Sequence, residues 1–224
     1  MIAAARLEPC ASGGSSSTFV AMVDGTDWAA RYRSGDTPWD LGGPHPELSA
    51  RLQDGRLLPP RPGATAFVPG AGAGHDALAL ARRGWAVTAV DLVELLAPRV
   101  GPDLERKGGR FVVGDAIEFG AEGAFDLVWD HTFFCAIPPG RRGAWGRQVN
   151  SLLAPGGVYA ALVFPVSKPA SEGGPPFGME EAHVREALGP LFRVEECGPV
   201  SRAVARRTWR EHWFAATRTA LEAH

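Results

Sequence analysis

The stretch that decides the fold is AFVPGAGAGHD at residues 66–76, followed by WAVTAVD at residues 85–91. A short apolar run leads into glycines at three alternate positions, Gly70, Gly72 and Gly74. A segment with helical spacing follows, and a second apolar run ends in Asp91. This order predicts a strand–helix–strand unit whose glycine turn admits a ligand close to backbone and whose acid binds a ribose diol. The sequence therefore predicts a cofactor that contains adenosine.

The spacing of the glycines distinguishes between such cofactors. Dinucleotide-binding turns have G-x-G-x-x-G, which places a helix N-terminus against a pyrophosphate, whereas this chain has G-x-G-x-G. S-adenosyl-L-methionine carries no phosphate and needs only the close approach of backbone. A second acid, Asp115, ends the run RFVVGD at residues 110–115, where we expect the adenine amino group beside the ribose. The alternative is a glycine-rich turn without a ligand, because short glycine motifs give false positives.

Composition limits the remaining possibilities. The chain has 224 residues, 45% of them hydrophobic, and a net charge of −2 without a basic run, so neither nucleic acid nor an anionic membrane is predicted as a partner. Its three cysteines, Cys10, Cys135 and Cys197, have no metal-site or disulfide spacing. Residues 1–24 lack the pattern of a signal peptide. We expect a cytoplasmic protein, either a monomer or a weak homodimer, with no metal site.

The apolar periodicity predicts an α/β fold with a doubly wound, mainly parallel sheet and a closing hairpin. Residues 1–24 are expected to form a flexible leader, and residues 25–224 a single domain with an N-terminal helical lid (25–60) and a Rossmann-like core (61–224). The predicted strands span 64–68, 86–90, 110–113, 125–129, 158–164, 192–196 and 207–216. One helix is predicted to begin near residue 27. The other predicted helices span 46–52, 74–83, 92–107 with an interruption at Pro98, 139–153 and 180–188.

Four predicted strands end in a glycine or an acid: Gly70, Asp91, Asp115 and Asp130. In open α/β sheets, ligands bind beyond the carboxyl ends of the strands, near the point where the strand order reverses. We therefore expect these residues to meet at one edge of the sheet.

Several segments carry a more specific resemblance: VPGAGAGHD (68–76), VD (90–91), VWDHTFFCAIP (128–138), LAPGG (153–157) and GGPPF (173–177). From about residue 28 to residue 213 the chain resembles the thiopurine S-methyltransferase family, and within it the plant and microbial halide and thiol methyltransferases. The resemblance implies a seven-stranded methyltransferase sheet with a closing antiparallel strand and S-adenosyl-L-methionine as cofactor. The cofactor-binding residues that the resemblance implies are Tyr32, Gly70, Asp91, Asp115 and Ala116. We expect Trp39, Gly72, Leu92, Asp130 and His131 to contact the cofactor as well.

The predicted function is methyl transfer to a soft nucleophile: a small thiol, a thio-metabolite or halide. In-line displacement by such an acceptor requires orientation and desolvation more than a base. We expect Trp39 to lie over the methyl group as part of the lid, and Phe134 to line the acceptor pocket, with Phe177 closing it. Cys135 has no base near it in sequence and is not expected to be a nucleophile.

His131 stands where the family often has an arginine, which leaves the acceptor open. One alternative is N- or O-methylation of a small natural product with His131 as the general base, because an unperturbed imidazole titrates near neutrality. The other alternative is a protein that binds S-adenosyl-L-methionine without turnover.

Overall fold

The computed structural model describes residues 22–23 and 25–220. Apart from Met22–Val23, the predicted leader therefore lies outside the described residues. The strands are β1 Met22–Val23, β2 Thr26–Asp27, β3 Thr65–Pro69, β4 Ala86–Asp91, β5 Arg110–Val113, β6 Phe125–His131, β7 Leu153–Val166, β8 Phe192–Pro199 and β9 Arg210–Arg218. The helices are α1 Trp28–Ser34, α2 Pro46–Gln53, α3 His75–Arg82, α4 Ala97–Glu105, α5 Arg142–Leu152 and α6 Glu181–Leu188.

Seven of these strands form one sheet in the order β5-β4-β3-β6-β7-β9-β8. The first five strands in that order are parallel, and β9 runs antiparallel to both β7 and β8. This confirms the predicted seven-stranded sheet with a closing antiparallel strand. The strand order reverses between β3 and β6, so a ligand crevice is expected beyond their carboxyl ends.

Helices cover both faces of the sheet, which explains why its central strands are apolar throughout. Ala66, Phe67 and Val68 in β3 are all buried, as expected for a parallel strand that packs on two sides. One core layer contains Trp145, Tyr159 and Phe214, and the layer on the opposite face contains Leu80, Trp129 and Trp213. Within the described residues, none of the helices has the length and apolar character needed to cross a bilayer.

Three predicted elements differ clearly from the structure, and the strand predicted over residues 192–196 also continues to Pro199 as β8. The helix predicted over residues 92–107 is not interrupted at Pro98. A short 3₁₀ turn (Glu94–Leu96) comes first, and Pro98 lies in the first turn of α4. A residue in the first turn has no intrahelical partner for its N–H, so the missing N–H of proline costs no hydrogen bond there. β7 is longer than residues 158–164, since it begins at Leu153, directly after α5, and its pairing with β6 shifts register between Phe125 and Leu127. β9 begins at Arg210, so Arg207 lies in the preceding loop.

Candidate active site

A cavity of about 250 Å³ opens beyond the carboxyl ends of β3, β4, β5 and β6. Of the four predicted strand-end residues, Gly70, Asp91 and Asp115 line it together with Leu92 and Ala116. The N-terminal segment contributes Trp28, Arg31, Tyr32, Pro38 and Trp39. A smaller cavity of about 60 Å³ adjoins it and is lined by Gly72, Asp76 and His131, with Tyr32, Trp39 and Gly70 shared between the two. The fold thus brings most of the predicted residues to one place.

The glycine turn leaves no space for side chains at Gly70 and Gly72, its two glycines that line the cavities. Gly70 and Gly72 have φ angles of +53° and +54°, a conformation that residues with a Cβ rarely adopt. A Cβ on Gly72 would lie 2.6 Å from the Tyr32 hydroxyl oxygen, and a Cβ on Gly70 would lie 2.7 Å from Cδ2 of Phe133. Aromatic side chains therefore pack directly on the bare backbone of this turn.

Asp91 is held in one orientation by backbone donors on both of its oxygens. The N–H of Gly72 donates to Oδ2 at 2.8 Å, and the N–H of Val93 donates to Oδ1 at 2.9 Å. Burial raises the pKa of Asp91, and these N–H groups offset part of the rise. Each carboxylate oxygen can accept more than one hydrogen bond, so Asp91 retains acceptor capacity toward the cavity that it lines.

Asp115 forms the second acidic corner of the cavity. Its Oδ1 accepts the N–H of Ile117 at 2.9 Å and thereby caps the 3₁₀ turn Ala116–Glu118. The guanidinium of Arg141, which also lines the cavity, lies 3.8 Å from Oδ2 of Asp115. Asp115 is therefore both a local cap and a cavity residue.

Three aromatic side chains of the N-terminal segment form one cluster against the cavity. The Nε1–H of Trp39 donates to the Tyr32 hydroxyl at 3.1 Å, and the ring of Trp28 meets the ring of Trp39 edge to face at 5.2 Å. Burial is the main cause of the raised pKa of Tyr32, so its hydroxyl stays protonated. The guanidinium of Arg31 lies 4.4 Å from the centre of the Trp39 ring and completes the cluster.

The other end of the cavity is mostly apolar and contains one further arginine. Phe133, Ile137, Phe164 and two prolines, Pro175 and Pro176, form its walls. The guanidinium of Arg207 lines this end and lies 4.3 Å from the centre of the Phe164 ring. Sequence reasoning missed Arg207, because the stretch ARRTWRE around it has no pattern that identifies a cavity residue.

The prediction that Phe134 lines the acceptor pocket was wrong by one residue. Phe134 is buried in the core beneath the guanidinium of Arg142, 4.9 Å from the ring centre, whereas Phe133 lines the cavity. Phe177 does not line the cavity either. Its backbone N–H is bonded to the carbonyl of Cys135, and the prolines before it form the wall.

Asp130, predicted as a cofactor residue, is turned into the protein instead. Its Oδ1 accepts the N–H groups of Phe133 and Phe134, both at 3.1 Å, and its Oδ2 accepts the hydroxyl of Tyr159 at 2.8 Å. Burial raises its pKa to about 6. Asp130 therefore shapes the turn in which Thr132 has a φ of +66° and Phe133 is directed to the cavity.

Cys135 lines the cavity as a protonated thiol. Burial raises the pKa of Cys135 to about 12, and its Sγ donates to the carbonyl of Thr132 at 3.3 Å. This geometry agrees with the expectation that Cys135 is not a nucleophile, because the thiolate is the reactive form. Among the described residues, no group of three or more His, Cys, Asp or Glu side chains is arranged to hold a metal ion.

His131 lies beside the smaller cavity, with both ring nitrogens engaged. Its Nδ1 lies 2.7 Å from Oδ2 of Asp76, and its Nε2 lies 2.9 Å from Nη2 of Arg207. Burial alone would raise the pKa of Asp76, but its contacts with His131, Trp129 and the backbone lower it to about 2, so Asp76 is a carboxylate. Nδ1 therefore carries the proton, and the lone pair of Nε2 accepts from Arg207. This geometry weighs against the alternative in which His131 is the general base.

Comparison with known proteins identifies the class of the enzyme. The model of the family described as thiopurine S-methyltransferase matches residues 23–219. The chain belongs to the thiopurine S-methyltransferase family. It is therefore an S-adenosyl-L-methionine-dependent methyltransferase that acts on a small-molecule acceptor.

Relatives within this family include two plant enzymes. The chain is 34% identical over 168 residues to "Probable thiol methyltransferase 2" of Arabidopsis thaliana, and the aligned region covers 73% of this chain and 72% of the relative. It is 33% identical over 173 residues to "Thiocyanate methyltransferase 1" of Brassica oleracea, covering 75% and 74%. A solved structure, the Burkholderia thailandensis 1,6-didemethyltoxoflavin-N1-methyltransferase, matches with a TM-score of 0.69 and 25% identity, over 87% of this chain and 86% of that one.

Proposed function

We propose that this enzyme transfers the methyl group of S-adenosyl-L-methionine to a small, soft and negatively charged nucleophile: a thiolate, thiocyanate or halide. The observation that carries the proposal is the contact between His131 Nε2 and Arg207 Nη2 at 2.9 Å. It occupies the lone pair that a base would use and fixes an N–H donor at the apolar end of the cavity. An acceptor that arrives already ionised needs such a donor and no base.

The residues around the larger cavity fit the cofactor. The turn at Gly70 and Gly72 offers bare backbone, and Asp91 offers oriented carboxylate oxygens suited to a ribose diol. We assign Leu92, Asp115 and Ala116 to the adenine side of the same cavity. When bound there, S-adenosyl-L-methionine supplies a methyl group activated by a positively charged sulfur.

The remaining side chains of the cavity orient the reactants and exclude water. Tyr32 and Trp39 present aromatic rings, which attract a cationic sulfur by about 0.5–2 kcal/mol each. Arg207 holds the negative charge of the acceptor, and the walls formed by Phe133, Ile137 and Phe164 remove its hydration. Orientation of this kind lowers a barrier by roughly 7–11 kcal/mol when both reactants are well held. We exclude Asp130 and Phe134 from this site, because both side chains are buried in the core.

Two of the relatives named above are called a thiol methyltransferase and a thiocyanate methyltransferase, and these names agree with a sulfur or anionic acceptor. The matching solved structure is called an N1-methyltransferase, so nitrogen acceptors belong in the test. We also propose that the protein acts in the cytoplasm as a monomer or weak homodimer, because its cysteines lack disulfide spacing and its charge is near balance.

A panel of acceptors tests the proposal directly. The purified enzyme is assayed for S-adenosylhomocysteine release with iodide, thiocyanate, thiophenol, phenol and a heteroaromatic amine. We expect turnover with iodide and thiocyanate, whose rates do not depend on removal of a proton. Turnover with the phenol or the amine alone would overturn the proposal and favour N- or O-methylation.

A further inference from the structure

Five residues beside the cavity form a closed polar ring: Asp76, His131, Arg207, Glu211 and His45. Asp76 bonds to His131 Nδ1 at 2.7 Å, and His131 Nε2 bonds to Arg207 at 2.9 Å. Arg207 forms an ion pair with Glu211, whose Oε1 lies 3.1 Å from Nε2 of His45. The backbone N–H of His45 donates to Asp76 at 2.8 Å and closes the ring.

The position of each proton in the polar ring follows from its neighbours. Nδ1 of His45 accepts the N–H of Glu47 at 3.1 Å, so the proton of this imidazole is on Nε2 and is donated to Glu211. Burial is the main cause of the lowered pKa of His45, which keeps its ring neutral. His131 has the opposite tautomer, because the Asp76 carboxylate takes the proton of Nδ1 and Arg207 donates to Nε2. Every contact of the ring therefore pairs one donor with one acceptor.

The polar ring is buried and links separate parts of the chain. The side chains of His45 and Glu211 are 0% and 1% exposed, and that of Arg207 is 8% exposed. His45 precedes α2, Asp76 lies in the first turn of α3, His131 ends β6 and Glu211 lies in β9. Arg207 is the member that lies in a loop and also lines the larger cavity.

Arg207 would otherwise be free to take many conformations. An arginine side chain loses roughly 2 kcal/mol of rotamer entropy when it is fixed, and a loop gives it little support. Here one N–H of each terminal nitrogen is bound, by Glu211 and by His131, and the ring of Phe164 lies against the guanidinium. A guanidinium has more N–H groups than these contacts use, so donors remain for a ligand.

We propose that His131 and Glu211 are positioning residues that orient the guanidinium of Arg207 toward the methyl acceptor. The proposal rests on the proposed function, in which Arg207 binds a negatively charged acceptor. Glu211 cancels much of the net charge of Arg207, so the guanidinium acts through directed N–H donors. His131 sets their direction, and Asp76 sets the tautomer that lets His131 do so.

A double-mutant cycle tests whether His131 acts through Arg207. The variants are His131→Phe, which removes the acceptor but keeps a ring, Arg207→Gln, and the combination of both. KM and kcat are measured with thiocyanate, and the Kd of S-adenosylhomocysteine is measured by calorimetry. We expect His131→Phe to raise the KM for thiocyanate by about tenfold, since a hydrogen bond to a charged group is lost. On the Arg207→Gln background the same change should raise KM by less than about twofold.

Two further variants separate positioning from folding and from base catalysis. His131→Gln restores a carbonyl acceptor near the place of Nε2 and should return KM to within about threefold of the unmodified enzyme. His183→Phe alters an exposed histidine that caps α6 and should leave KM and kcat unchanged. The Kd of S-adenosylhomocysteine should stay within about twofold in every His131 variant.

The outcomes distinguish the two proposals. If the unmodified enzyme turns over thiocyanate but the KM effects of His131→Phe and Arg207→Gln multiply, His131 does not act through Arg207 and the positioning role is overturned. A loss of kcat with thiophenol but none with iodide would instead identify His131 as a base. Absence of turnover with every halide and sulfur acceptor would overturn the proposed function itself, and the positioning role with it.

Discussion

The backbone N–H of Gly72 donates a hydrogen bond of 2.8 Å to Oδ2 of Asp91. These residues belong to the two halves of the motif that predicts the cofactor, the glycine turn after β3 and the acid at the end of β4. With Oδ1 held by the N–H of Val93, the carboxylate is fixed before any ligand arrives. Preorganisation of this kind reduces the conformational entropy that is lost when a ligand binds.

The first prediction concerns this carboxylate. Asp91→Ala should weaken binding of S-adenosylhomocysteine by about 1–3 kcal/mol, because a buried ribose diol would lose its charged partner. Calorimetry measures the change. Asp103→Ala, which removes an exposed acid from α4, is the matched control and should bind as the unmodified protein does. Equal affinity in the two variants would rule out Asp91 as the ribose partner.

The second prediction separates backbone strain from loss of space at the glycine turn. Gly72→Ala adds a Cβ 2.6 Å from the Tyr32 hydroxyl at a φ of +54°, whereas Gly123→Ala adds one in open space at a φ of +57°. Both variants should lose roughly 1 kcal/mol of stability from the positive φ. Only Gly72→Ala should also lose affinity for S-adenosylhomocysteine, and adding Tyr32→Phe should recover part of it. Calorimetry and thermal unfolding of both variants measure the two effects, and equal binding by them would contradict the assignment.

Local sequence patterns were sufficient to predict the sheet and most of the cavity. Apolar runs of strand length, each followed by a glycine or an acid, predict the ends of β3, β4 and β5. Because parallel strands end at the same edge, these positions meet in space. The residues concerned, Gly70, Asp91 and Asp115, do line the larger cavity.

Side-chain direction after β6 was not predictable in the same way. Sequence alone does not show that Asp130 accepts two backbone N–H groups, or that Thr132 takes a positive φ. Those two features decide that Phe133 faces the cavity and Phe134 faces the core. The polar ring was not predictable from the sequence for a different reason: His45 and Glu211 are 166 residues apart, and no local pattern connects them.

The third prediction is a pH dependence of stability that comes from Asp130. Burial raises its pKa from 3.8 to about 6 in the folded protein, so the folded state binds a proton at a higher pH than the unfolded chain does. Its contribution to stability therefore increases as pH falls through about 6. Asp130→Asn is neutral throughout; its amide oxygen can accept the N–H groups of Phe133 and Phe134, and its NH2 group can donate to the hydroxyl oxygen of Tyr159, which reverses that one bond.

The measurement is the free energy of unfolding in urea at about pH 7.5 and about pH 5. When the pH is lowered from about 7.5 to about 5, the free energy of unfolding of the unmodified protein should rise by about 1 kcal/mol relative to that of Asp130→Asn. Asp76 and Glu211, whose pKa values are lowered to about 2, are present in both proteins and cancel in the comparison. A shift of the opposite sign would mean that the pKa of Asp130 is not raised in the folded protein.

The fourth prediction is that residues 28–44, the N-terminal segment before the buried His45, act as a lid over the cofactor. None of the side chains of α1 is fully buried, although Trp28, Tyr32 and Trp39 pack on one another beside the cavity. The loop after α1 contacts the core at Asp40, whose Oδ1 lies 3.1 Å from Nε2 of His75. Closure of such a segment would exclude water from an acceptor that is a weak nucleophile when hydrated.

Hydrogen exchange with and without S-adenosylhomocysteine tests the lid. Protection should increase across residues 28–44 and stop at His45, because this residue is buried and belongs to the polar ring in either state. The amides of α6, a helix with no residue among those that line either cavity, provide an internal reference and should not change. Unchanged protection across residues 28–44 in the presence of the ligand would mean that the segment is a permanently docked part of the fold, and that Trp39 is held over the cavity whether or not the cofactor is bound.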